Sequence, residues 1–69
     1  MIRINGKKIK ELREGLGLTA ASLADSVGLS QSMIAHTENG LKVPNAIILG
    51  LIAERLGVTV DELLIKENV

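Results

Sequence analysis

Glycine punctuates this chain at the interval of one short helix, and that rhythm constrains the fold more than any other feature. Gly17, Gly28, Gly40 and Gly57 each follow a run in which apolar residues recur at three- and four-residue spacing. The first run, about Lys7 to Leu16, follows Asn5-Gly6 and places Ile9, Leu12 and Leu16 on one stripe, with Gly17 as its cap. The second begins after Thr19, a good N-cap, and carries Leu23, Ala24 and Val27 inward before Gly28. Ser30 caps a third run, Gln31 to Glu38, which carries Met33, Ile34 and Thr37 and has Asn39-Gly40 as its stop. A loop, Leu41-Lys42-Val43-Pro44, leads to Asn45, which caps a fourth run from about Ala46 to Leu56. Thr59-Val60-Asp61-Glu62 is a capping box and opens a brief fifth helix through Leu63 and Leu64. The segments Met1–Ile4 and Leu64–Lys66 flank this set. They are expected to fray, with strand pairing between them, or between subunits, as the alternative.

Five helices must then share one small core. The chain has 69 residues and no cysteine, and its apolar content of 46% includes no Phe, Tyr or Trp. Leu, Ile, Val and Ala therefore build the core, and a chain of this size gains from burial in an oligomer. With no thiol and a single histidine, neither a disulfide nor a conventional zinc site is expected, and the composition fits a reducing, cytoplasmic setting. The first ten residues hold no apolar run of signal-peptide length, and no stretch approaches a membrane span, the longest apolar run being Ala46 to Ala53, so a soluble protein without membrane partners is expected.

Net charge is zero, which counts against a nucleic-acid footprint. Its distribution is uneven. Arg3, Lys7, Lys8, Lys10 and Arg13 crowd the beginning, and Glu54, Asp61, Glu62 and Glu67 the end, so a basic and an acidic side are expected. Taken alone, these charges fit two solvated faces equally well. Catalysis is not expected: Ser22, Ser26, Ser30 and Ser32 read as caps and surface residues, and His36 has no evident pocket. No cofactor or small-molecule ligand is implied.

The informative stretch is Ala20 to Thr37. Two short helices at a tight turn need a small residue where they cross, which Ala24 supplies. They also need a residue tolerant of positive φ at the turn, which Gly28 supplies. Leu23, Val27, Leu29 and Ile34 supply the apolar positions on either side, and Thr37 is the one polar departure.

In these residues the chain resembles the Cro/repressor-type (XRE-like) helix-turn-helix family. The matching motifs are Ile9-Lys10-Glu11-Leu12-Arg13, Gly17-Leu18-Thr19, Leu23-Ala24, Val27-Gly28-Leu29-Ser30-Gln31-Ser32, Ile34, Glu38-Asn39-Gly40, Pro44, Leu56-Gly57-Val58 and Asp61-Glu62-Leu63-Leu64. They span about residues 7 to 64 of what reads as a single domain, 1–69. The resemblance implies an all-α, compact five-helix, lambda-repressor-like fold with its helix-turn-helix at helices two and three. It further implies that helix three enters the major groove of double-stranded DNA while helix two crosses the backbone. By the same likeness Arg13 and Glu38 form an internal salt bridge. Gln31, Ser32, Ala35 and His36 stand at base-reading positions, and phosphates meet the helix starts at Thr19 and Ser30 and the loop cation Lys42. Many relatives carry Gln where this chain has Ala20, which implies modest affinity and a shallow salt slope.

Helix four carries more apolar surface than one core requires. Beyond the inward stripe Leu49, Ile52, Ala53 and Leu56, it presents Ile47, Ile48 and Leu51, with Gly50 as a place for close approach. A homodimer interface is expected there, with unusually deep burial in the chain's own fold as the alternative. The function implied is a sequence-specific regulator of transcription, a homodimeric repressor reading a palindromic operator. The competing reading is a helix-turn-helix interaction module, an antitoxin or assembly subunit with weak or no DNA binding.

Overall fold

The computed structural model describes residues 2–66, with the side chain of Ile2 left out. Element order is β1 (Ile2–Ile4), α1 (Gly6–Gly15), α2 (Ala20–Val27), α3 (Gln31–Glu38), α4 (Ala46–Leu56), a 3-10 helix (Val60–Leu63) and β2 (Leu64–Lys66). Each α-helix starts at a polar cap. The side chains of Asn5, Thr19, Ser30 and Asn45 accept from the amides of Lys8, Ser22, Met33 and Ile48, which satisfies one orphan donor in each first turn.

α2 and α4 end on Gly28 and Gly57, both in the left-handed region. At Gly28, φ is 73° and ψ 27°. The Gly28 and Leu29 amides both donate to the Ala24 carbonyl, which turns the chain through one loop residue into the Ser30 cap.

One fully buried side chain from each helix meets at the centre: Ile9 from α1, Leu23 from α2, Ile34 from α3, Ile52 from α4 and Leu63 from the 3-10 helix. Ala24, Val27, Leu49, Ala53 and Leu56 surround them, and Leu12, Leu18, Leu29 and Ile48 pack against the rim. The class is all-α, and helices α2 and α3 form the expected helix-turn-helix.

Three expectations need correction. The fifth helix is a single 3-10 turn, because Leu64 leaves it for a strand after only four residues. The flanks do not fray over the described residues. β1 pairs antiparallel with β2 inside one chain, with Arg3 opposite Ile65 and Ile4 opposite Leu64, and Ile4 is buried. Met1 lies outside the described residues. Finally, Leu16 is 53% exposed. α1 ends at Gly15, and Leu16 sits at the reversal into Gly17 (φ 74°) rather than on the inward stripe. That stripe is instead Gly6, Ile9 and Arg13.

Candidate nucleic-acid interface

Arg13 enters the interior as the third member of the α1 stripe, and its guanidinium needs partners there. Its Nε donates to Glu38 Oε2 at 2.7 Å, Nη2 to Glu38 Oε1 at 3.2 Å and Nη1 to the Leu18 carbonyl at 2.8 Å. The two side chains are only 10% and 7% exposed. The hydrogen bond to Glu38 raises the Arg13 pKa above its ordinary value, against the opposing effect of desolvation. This bidentate pair fastens α1 to the last turn of α3, and the Leu18 carbonyl is a third acceptor that sequence reasoning did not find.

With its last turn held, α3 divides into two faces. Ile34 and Thr37 are fully buried, and the Thr37 hydroxyl donates to the Met33 carbonyl at 2.9 Å. That back-bond explains how a polar residue occupies an inward position: it carries its own acceptor within the helix. Gln31, Ser32, Ala35 and His36 are all exposed. At one- and four-residue spacing they form a single solvent-facing patch over the length of the helix.

The helix starts lie beside exposed backbone. Thr19 Oγ1 accepts from the Ser22 amide at 3.0 Å and shares a hydrogen bond with Ser22 Oγ at 2.9 Å. Ser30 Oγ accepts from the Met33 amide at 3.1 Å. The first amides of α2 and α3 have no intrahelical acceptor and, with the helix dipoles, suit an anion. Lys42 is exposed and borders a groove with Leu29, Met33, Val43, Pro44 and Ile48, which places it beside the first turn of α3.

On α4, Ile47 is 76% and Leu51 41% exposed. Ile48 differs from them: it is half-buried and packs on the core rim. A Cβ added to Gly50 would meet nothing within 4 Å. Among the described residues, none covers Ile47 or Leu51 fully or stands against Gly50.

Among the described residues no group of three or more acidic, His or Cys side chains is placed to hold a metal ion. Nor is any helix among them long and apolar enough to cross a membrane.

The helix-turn-helix family model matches residues 9–63, from the core residue of α1 to that of the 3-10 helix. The chain belongs to the XRE-type helix-turn-helix family. Among members with curated descriptions, the HTH-type transcriptional activator BcrR of Enterococcus faecalis is 37% identical over 62 residues. That alignment covers 90% of this chain but only 30% of BcrR, so the chain spans less than a third of that protein. The uncharacterized HTH-type transcriptional regulator YazB of Bacillus subtilis (strain 168) is 33% identical over 58 residues, 84% of each chain.

Among solved XRE-type domains, the P22 c2 repressor bound to a synthetic operator superposes with a TM-score of 0.84 at 28% identity, covering 88% of this chain and 92% of the repressor. The frame also occurs inside an enzyme. Hydroxypropylphosphonic acid epoxidase from S. wedmorenis matches 84% of this chain with 31% of its own, at a TM-score of 0.77 and 30% identity.

Proposed function

We propose that this XRE-type chain is a cytoplasmic, sequence-specific DNA-binding regulator without catalytic activity, acting as a homodimeric repressor on a palindromic operator. The observation that carries the reading is the division of α3. Its buried side and the Arg13–Glu38 pair fix the helix, and Gln31, Ser32, Ala35 and His36 are left together on its open side. A helix so fixed fits the major groove. There Gln31 offers a bidentate partner for adenine, Ala35 a surface for a thymine methyl and His36 a donor to guanine or phosphate. The amides at the starts of α2 and α3 and the Lys42 ammonium take phosphates.

Ile47, Gly50 and Leu51, with Ile48 at their edge, form the interface with a second copy. Two reading helices on one duplex would compensate for the weak footprint of each. The likeness to an operator-bound repressor supports the DNA partner.

Selection of bound sequences from a random duplex pool tests this directly. An enriched palindrome supports a symmetric dimer on DNA, and an enriched asymmetric site would remove the dimer. Failure to bind any duplex even at low salt would sink the regulator. The exposed Ile47 and Leu51 would then favour the interaction-module reading.

A further inference from the structure

We infer that Gly6 is a positioning residue for the reading face of α3, an inference that rests on the DNA-binding function proposed above. Gly6 is buried at the start of α1, where its own helix gains nothing from it: glycine weakens a helix, and the positive-φ glycines of this chain are Gly17, Gly28, Gly40 and Gly57. The reason for glycine at this position is space. A Cβ there would stand 2.3 Å from the Glu38 carbonyl oxygen, 2.5 Å from that of Thr37 and 2.6 Å from the Glu38 carbonyl carbon. All three atoms are backbone at the end of α3, so no side-chain rotation relieves the clash. A carbon–oxygen contact settles no closer than about 3.3 Å, so α1 and the last turn of α3 would have to part by roughly 1 Å.

Neither side gives easily. The Asn5 amide donates to the Leu63 carbonyl at 2.7 Å, Ile4 is paired with Leu64, and Ile9 is fully buried one turn on. On the other side Arg13 holds the Glu38 carboxylate, and the amides of Gly40 and Leu41 donate to the carbonyls of Thr37 and His36 at 3.1 and 2.8 Å. A methyl at Gly6 therefore forces the last turn of α3, which carries Ala35 and His36, away from the start of α1. Base contacts made through hydrogen bonds do not survive a displacement of that size.

The test compares the wild-type chain, Gly15→Ala, and Gly6→Ala in the Gly15→Ala background. Gly15 lies in the same helix with open space around its Cβ position, so alanine there strengthens α1 and offsets part of the strain at Gly6. Each protein is titrated into the duplex that the wild type selects and into a scrambled duplex of equal length. An amide proton–nitrogen spectrum reports the fold of each.

Gly15→Ala is expected to bind both duplexes as the wild type does. The double variant should remain folded with its amide shifts concentrated over residues 35–41. It should keep its scrambled-duplex affinity and lose about ten- to a hundredfold on the selected one. A folded double variant with unchanged selected-duplex binding would overturn the inference, and so would equal losses on both duplexes. A double variant that does not fold would also overturn it, since the contact would then serve the whole fold. A wild-type chain that enriches no sequence would remove the DNA-binding function itself, and the positioning role with it.

Discussion

Replacing Arg13 with Met should be among the most damaging single changes to this chain, while replacing Arg13 and Glu38 together should cost little. Arg13→Met leaves the Glu38 carboxylate at 7% exposure without its two guanidinium bonds, and also strips the Leu18 carbonyl of its donor. Breaking a buried pair from one side costs about 3–5 kcal/mol, because the surviving charge stays desolvated. A domain this small holds only about 3–5 kcal/mol in total, so the variant should be largely unfolded in buffer. In Arg13→Met/Glu38→Met both charges are gone and two flexible apolar side chains fill their place, which restores stability to within roughly 1–2 kcal/mol of wild type. With either single change costing about 3–5 kcal/mol, the coupling from the complete cycle should be at least about 4 kcal/mol. Urea unfolding followed by far-ultraviolet circular dichroism gives the four stabilities, with an osmolyte series to define the folded baseline of the single variants. A loss below about 1 kcal/mol for Arg13→Met would refute the reasoning, since the pair would then behave like an exposed one. A double variant as unstable as the sum of the singles would refute it equally.

Gly28→Ala should lower stability by about 1–2 kcal/mol in the same assay, because the residue must keep φ at 73° with a Cβ attached. Leu51→Glu should shift the sedimentation profile from dimer to monomer while leaving the circular dichroism spectrum unchanged; an unaltered profile would remove the α4 interface. Gln31→Ala and His36→Ala should weaken the selected duplex more than a scrambled one, by about 1–3 kcal/mol for a lost bidentate contact, whereas Lys42→Ala should weaken both alike. Removing Lys42 should also flatten the salt dependence by about one unit of log–log slope for each copy bound.

The helices were legible because each is bounded by chemistry that acts locally. Thr19, Ser30 and Asn45 stand where their oxygens meet the amide three residues on, and Gly28 and Gly57 stand where only a residue without Cβ is comfortable. The burial of Leu23, Ala24, Val27 and Ile34 follows from the same periodicity. What escaped is tertiary. Three-residue strands bury too little to leave more than a faint alternation, so the pairing of β1 with β2 could be named only as the alternative to fraying until α1 and the 3-10 helix bring the two together. Leu16 continues the α1 stripe in sequence yet lies past the helix end, and no local rule separates it from Leu12. Asn5-Gly6 reads as a turn before the helix, whereas the glycine is the first helical residue and is needed for a contact with α3 far along the chain.

The charge pattern changes meaning in three dimensions in the same way. Of the early cations, Arg13 is spent on Glu38, Arg3 is also engaged, and Lys7 and Lys10 remain exposed on α1. The basic beginning of the sequence is thus partly an internal fastening, and zero net charge says less about the reading face than it first suggests. The constraints on α3 fall on residues outside that exposed patch: Ser30 caps its start, Ile34 and Thr37 seat it, and Glu38 ties its end to Arg13 beside the close approach at Gly6. Gln31, Ser32, Ala35 and His36 carry none of that load. Their side chains can therefore change with little effect on stability, and under the proposed function the same frame would present a different pattern of donors, acceptors and methyl contacts to DNA. On the proposed function, the sequence that is read and the helix that reads it are set by separate residues.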